Sequence, residues 1–516
     1  MEIRGVWLTT TDSKVLDSKE NIAEAIKFLA ETGFNVVFPV VWNQGSTNYP
    51  SQVMKEKFGI EIKPRQEFKN RDPLQELITE AKKFDIAVIP WFEYGFMSSY
   101  KGDGGKIIQA KPQWAACGVD GKPLVVNDYY WLNALDPEIQ EFILSIFLEV
   151  VNKYGDGIAG IQGDDHLPAF PMEGGYDEKT VKRYQDEFAQ PPPKPPKRRN
   201  PLDPQEPLDP LWQDSEWRQQ WRQWVIWRAD ILSHFLHRLY RAVINVNPDL
   251  IISMSPNNYP WCYENYLQDS QTWIDWGLVD LIHPQIYDKE LNLYQIGIDK
   301  VISKQFNQQQ LPQLIPAILL KKSTYKITPE YLETAIKTNR CLGIQGEVMF
   351  FYEGLREDNY ALANVLKSGV YSQPPGKFDP KEIKKNTFSH RRINNYTEIS
   401  TSPENTLKVQ FDWVESFSEG MASVKMGYKY GYIDTTGKLV VRMAYDKAEP
   451  FSEGMAAVKM GYKYGYIDTT GKLVVGMEYD KAEPFSEGVA LVKIDEKDVY
   501  SGYIDKTGNF MKLLAN

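Results

Sequence analysis

Over residues 1–368 a short apolar run followed by a longer amphipathic stretch recurs eight times. A near-continuous apolar strand must be covered on both faces, and a helix after each strand supplies that cover. The runs fall at 3–8, 34–41, 85–92, 157–163, 249–255, 279–286, 313–319 and 346–352. Helical spacing follows near 18–32, 72–84, 136–153, 216–245, 264–276, 291–308, 328–340 and 357–367. Asp72-Pro73, Asp136-Pro137 and Thr328-Pro329 each read as a capping residue and then the first helical position. Eight consecutive β-then-α units predict an α/β fold, a closed (β/α)8 barrel over 1–370. A doubly wound open sheet is the competitor, but the regular count favours closure.

The pattern is interrupted once, by an insertion near 171–215. Its stretch PPPKPPKRRNPLDPQEPLDP at 191–210 has too much proline for helix or central strand, and reads as a solvated extended excursion. Residues 371–407 are polar and read as a linker. A unit of 34 residues then repeats within 408–516, starting at Phe417, Phe451 and Phe485. Alternating apolar residues, a Gly-Tyr-Ile-Asp strand and a Thr-Gly turn are hairpin signals, so this region is expected to be a small all-β repeat domain. It resembles the WG-repeat family, with the Trp-Gly pair replaced by Tyr430-Gly431, Tyr464-Gly465 and Ser501-Gly502. The resemblance implies a binding or scaffolding module with a protein or glycan partner.

Several function classes are disfavoured. A net charge of −10 argues against non-specific nucleic-acid binding. Cys117, Cys262 and Cys341 have no metal-ligand spacing and support no disulfide framework. The five histidines form no zinc motif. No apolar run is long enough to span a membrane, and the opening MEIRGVWLTT reads as a strand rather than an export signal, so a cytoplasmic location is expected. There is no Gly-rich phosphate loop and no Ser-His-Asp signature, so no cofactor is expected.

In a barrel of this type the working residues lie at the C-terminal strand ends. Those ends carry Trp42 and Asn43, with Tyr49 on the following loop, then Trp91 and Glu93, then Asp164, Asp165 and His166. They continue with Asn257, with Gln285 and Tyr287, and with Glu353. Carboxylates, amides and aromatics together suit cleavage of a glycosidic bond. One acid protonates the leaving oxygen and the other is nucleophile or base. Alternation along the strand puts Asp164 on the side of Gln162, the better inward candidate, and leaves Asp165 to orient a neighbour or serve as an alternative acid. Glu93 sits one strand away, within reach as general acid. Glu353 alone, like Glu347 early in its strand, also suits a structural role, and Trp217, Trp221 and Trp224 at helical spacing read as core. A calcium or magnesium ion on the Asp pair is a competing reading, but the segment is not dense in ligands.

The stretches RGVWLTTTDS, NVVFPVVWNQGSTNYPS, IPWFEYGFM, GIQGDDHLPAFP, SMSPNN, VDLIHPQIY and FFYEGL resemble the glycosyl hydrolase-like family 10 domain. The resemblance implies a glycosidase barrel related to the α-amylase and α-galactosidase types, with a carbohydrate substrate, in some members the bacterial cell-wall glycan. It maps the family's strand-4 Asp-Asp onto Asp164 and Asp165, and the strand-4 nucleophile of the wider group onto Asp164. The alternative is a non-catalytic glycan-binding or scaffold protein that keeps the barrel as a platform.

Overall fold

The computed structural model describes residues 2–197, 209–386, 397–402, 405–409, 411, 413–426, 429–460, 463–496 and 498–511. It divides into two compact units, Met1–Asp177 with Ile231–His390, and Glu178–Asp230 with Arg391–Asn516.

The first unit is a closed barrel of eight parallel strands. These are β1 (Ile3–Leu8), β2 (Val36–Pro39), β3 (Ala87–Val88 with Trp91–Phe92), β4 (Gly160–Gly163), β5 (Ile251–Met254), β6 (Leu281–Ile282 with Gln285–Ile286), β7 (Ala317–Leu319) and β8 (Gly346–Phe350). Each pairs with the next, and β8 returns to β1 with Ile3 opposite Gly346. Strands β3 and β6 are split where Pro90 and Pro284 lack an N–H for the ladder, although both carbonyls still accept bonds.

The capping residues behave as expected. Asp72 accepts from the Gln75 N–H at 3.1 Å, Asp136 from Glu138 at 2.8 Å and Thr328 from Tyr331 at 3.1 Å. The single helix expected over 264–276 is instead two, Trp261–Tyr266 and Ser270–Asp275. Leu267 turns left-handed at φ 55°, and Asp269 caps the second helix.

The barrel interior is filled by aromatic rings around Trp7, with Phe38 at 5.7 Å, Phe350 at 5.9 Å and Trp91 at 6.1 Å. One polar chain crosses it. Trp7 Nε1 donates to Gln162 at 2.6 Å, Gln162 to Ser253 Oγ at 3.0 Å, and Ser253 meets His283 Nε2 at 2.8 Å. His283 Nδ1 lies 2.8 Å from the Ile315 carbonyl, which can only accept, so Nδ1 carries the proton and Nε2 accepts from Ser253. Burial holds His283 down to about 4, so it is neutral and every member of the chain is paired.

Residues read from sequence as the start of a linker pack on the barrel instead. Tyr371, Phe378 and Ile383 are buried, and Pro380–Asn386 is helical. Apolar residues spaced through a polar stretch are what the compositional reading missed. The remainder of that segment includes 387–396, which lies outside the described residues.

The second unit holds the repeats. Each copy is a four-stranded antiparallel sheet, running 413–445, 447–479 and 481–511. Gly431 explains the glycine of the repeat, because a Cβ there would stand 2.4 Å from the Val441 carbonyl oxygen. The copies hand on to one another through Ser418 Oγ to the Phe451 carbonyl and Ser452 Oγ to the Phe485 carbonyl, both at 2.7 Å. The same unit includes part of the barrel insertion, contrary to a self-contained 408–516 module. A helix at Glu178–Phe188 and the start of Ser215–Val246 join the repeats. Arg442 pairs with Glu187 at 2.7 Å, the Trp227 indole donates to the same carboxylate at 2.7 Å, and Gln219 donates to the Met477 carbonyl at 2.9 Å. Trp217, Trp221 and Trp224 are buried here, as their spacing suggested. Residues 191–197 form neither helix nor strand, and 198–208 of the proline-rich stretch lie outside the described residues.

Candidate active site

Strand register sets the centre of the site. Gln162 lies opposite Trp91 and Gly163 opposite Phe92, so the next residues, Asp164 and Glu93, leave neighbouring strands at the same height. The β3 and β4 loops touch immediately beyond. Phe96 N–H donates to the His166 carbonyl at 3.1 Å, and Gly95 allows it, since a Cβ there would be 2.1 Å from that oxygen.

Asp164 is buried, and its Oδ1 accepts from Gln285 Nε2 at 2.7 Å. Burial pushes its carboxyl well above the usual range, with the negative charges of Asp165 and Glu93 adding to it. The Trp91 indole N–H favours the charged form but does not reach full hydrogen-bond geometry. Asp165 has both oxygens engaged, one with His166 Nδ1 at 2.8 Å and the other with Asn257 Nδ2 at 3.1 Å. Burial would raise it, but His166 and Asn257 outweigh that and hold it below the usual range. Burial likewise opposes the charge on His166, yet Asp165 and Glu93 keep it raised. Of the adjacent pair, Asp164 therefore takes up a proton more readily and Asp165 holds its charge more readily.

Glu93 is partly buried, and burial lifts it to about 6 against the opposing pull of Asn43, Lys63 and His166. Asn43 Nδ2 donates to Glu93 Oε2, and Lys63 Nζ donates to Asn43 Oδ1, which fixes the orientation of that amide. Burial lowers Lys63 to about 8. Tyr287 stacks on Phe350 at 5.5 Å and feels the charges of both aspartates.

Asp164, Asp165, His166, Glu93, Asn43, Trp91, Asn257, Gln285 and Tyr287 are thus brought together. Three expected residues are not. Tyr49 is fully buried and donates to Glu149 at 3.0 Å, packed on Tyr154. Trp42 is buried behind the β3 loop, donating to the Gly95 carbonyl at 3.0 Å. Both point into the helix layer, because the chain after β2 folds outward as the hairpin of Trp42–Asn43 with Ser46–Thr47. Glu353 accepts from Ser13 at 2.8 Å, between the ends of β8 and β1. Sequence reasoning missed Lys63, Tyr129 and Trp131. Lys63 carries no local signal. The aromatic cluster DYYW at 128–131 was the available clue for the other two.

Asp164, Asp165 and His166 could bring ligand atoms within 4.8 Å of one another. The set suits a cation poorly. Gln285 and Asn257 aim N–H groups at the carboxylate oxygens, and His166 is held toward its protonated form.

The model of the family Glycosyl hydrolase-like 10 matches residues 2–335, and the chain belongs to that family. WG-containing repeats match at 399–430, 430–464 and 464–497. Glycosyl hydrolase DigH of Escherichia coli strain K12 is 24% identical over 330 residues, covering 55% of this chain. The chain spans 65% of the length of that relative. Glycosyl hydrolase YngK of Bacillus subtilis strain 168 is 21% identical over 457 residues, covering 78% of this chain and 80% of its own. Among solved structures, the glycoside hydrolase domain of PgaB (BpsB) from Bordetella bronchiseptica matches with a TM-score of 0.49 and 14% identity, over 71% of this chain and 99% of that one. Among the described residues no helix is long and apolar enough to cross a membrane.

Proposed function

We propose that the barrel is a glycoside hydrolase that cleaves an O-glycosidic bond of an oligo- or polysaccharide between Asp164 and Glu93. The observation that carries this is two carboxyls on adjacent strand ends, both raised by burial, one of them to about 6. Glu93 is the general acid. Its Oε2 is taken by Asn43, which leaves Oε1 to protonate the leaving oxygen. Asp164 is the nucleophile or the base that activates water. Its Oδ1 is fixed by Gln285, so Oδ2 works at the anomeric carbon. Asp164 reacts as the carboxylate, its proton having passed to solvent before the bond breaks, and the Gln285 donor and the positive charge developing on the sugar ring stabilise that ionised form. Asp165 orients His166 and Asn257 rather than reacting, since one oxygen lies against His166 Nδ1 and the other accepts from Asn257.

The test is a panel of α- and β-linked oligosaccharides, including peptide-free wall glycan, with products detected by mass. Asp164→Asn should lose at least a thousandfold in turnover, of order 4 kcal/mol in barrier, while its melting curve stays near native. Native turnover by that variant would overturn the assignment. A second reading is glycan binding without cleavage, favoured by the burial that raises the Asp164 carboxyl and disfavours its ionised form. Saturable binding with no released reducing ends would select it.

A further inference from the structure

The loop after β3 builds a small sheet of its own, with Met97–Tyr100 and Val125–Val126 on either side of Tyr129–Trp131. Residues two apart on a strand share a face. Tyr129 and Trp131 accordingly meet the same group, the His166 ring, at 5.8 and 5.7 Å. From each of them further ring contacts lead outward. Tyr129 contacts Tyr100 at 4.9 Å. Trp131 stacks on Tyr266 at 5.8 Å, and Tyr266 contacts Trp261 at 5.7 Å. Exposure rises along both paths, from partly buried Tyr129 to Tyr100 at 43%, and from Trp131 at 1% to Trp261 at 47%. What sets these two rings apart from other exposed aromatics is their connection through ring contacts to His166 in the acid cluster. Among the described residues, the buried Trp131 indole N–H has no acceptor and the buried Asn258 side-chain oxygen has no donor.

We infer that Tyr100, Tyr129 and Trp261 form outer carbohydrate subsites, holding pyranose rings of a glycan chain beyond the bond placed at Asp164. The apolar face of a pyranose packs on an aromatic ring, and its hydroxyls meet polar groups at the rim. Tyr129, which is partly exposed, joins Tyr100 to the acid cluster through His166, and Trp261 lies beyond the buried Trp131 and Tyr266, so the proposed chain runs outward from His166 past these exposed rings. This rests on the proposed glycosidase reading and narrows it. The favoured substrate is a chain of several sugars, engaged along its length, rather than a disaccharide.

The experiment uses the full-length Asp164→Asn protein, titrated with length ladders of peptide-free wall glycan and of α- and β-1,4-linked glucose oligomers. Binding is read by intrinsic tryptophan fluorescence and by calorimetry. At least one ladder should bind about tenfold tighter as hexasaccharide than as disaccharide. Tyr100→Ala and Trp261→Ala should each remove most of that difference and leave disaccharide affinity unchanged. Both side chains are largely exposed, so the variants should melt as the parent does. Equal affinity for short and long chains, an unchanged length dependence in both variants, or no saturable binding to any ladder would overturn the inference. Length-dependent binding by a wild-type protein that cleaves nothing would uphold the subsites and reject the hydrolase reading.

Discussion

A carboxyl that must give up its proton near neutrality needs burial enough to raise it and donors enough to bring it back. Glu93 has both, because burial lifts it while Asn43, Lys63 and His166 restrain it at about 6. The work of Lys63 is done at one remove, through Asn43. Removing its charge should let Glu93 rise further. On the proposed mechanism Glu93 acts protonated, so activity should fall as pH rises through about 6. In Lys63→Met that alkaline limb should move to higher pH, with turnover at the optimum down severalfold from the loosened amide. Lys63→Arg should restore the native limb. A pH–rate profile of kcat/KM for the three proteins decides this, and identical limbs would remove Lys63 from the site. The placement of Asp164 and Glu93 on neighbouring strand ends was legible in the sequence because strand alternation and parallel register are periodic and carry residues to a known end. Tyr49 and Trp42 were not, because the excursion after β2 turns them into the helix layer. No local rule reports the direction of such a loop.

At the scale of elements the strands and helices were legible nearly throughout, since apolar period and proline caps are local signals. What escaped was how polar segments find partners. The segment after α-helix Tyr352–Ser368 is the example. Tyr371 donates to Glu347 in β8, Arg4 lies 4.1 Å above the Tyr371 ring, and Lys384 pairs with buried Asp280 at 3.4 Å. Glu347 is fully buried, one of its oxygens has no partner among the described residues, and burial raises it to about 7 from an ordinary 4.5. A carboxyl raised on folding favours the native state when protonated. That contribution is complete below about pH 4.5 and is lost as pH rises through about 7. Its size is of order 3 kcal/mol. Glu347→Gln keeps the acceptor for Tyr371 and removes the ionisation. Its melting temperature should match wild type near about pH 5 and exceed it by several degrees near about pH 8. Equal melting temperatures at both values would mean that Glu347 is charged in the folded protein at no cost.

At the scale of the molecule, chain order and structural grouping part company. The repeats were legible as repeats because their period is written in the chain. Their union with an insertion far upstream in the chain was not, since it depends on a few specific contacts. Glu187 makes one of them, pairing with Arg442, while it also accepts from Trp227 within the insertion. Arg442 also stands 5.7 Å from the Trp227 ring. A half-buried, doubly bonded pair of this kind is worth about 1–2 kcal/mol, more than an exposed bridge. Truncation at residue 390 would take Arg442 and the Met477 carbonyl away from helices that keep Glu187, Gln219 and four buried tryptophans, Trp217, Trp221, Trp224 and Trp227. Amide hydrogen exchange should then show protection lost across 178–230 and retained in the barrel strands, because the barrel's own ladder closes without the repeats. Arg442→Ala in the full chain should give the same pattern in weaker form, about tenfold faster exchange in those helices. If 178–230 stayed fully protected in the truncated protein, the insertion would be stable without the repeats, and the two would be separate modules.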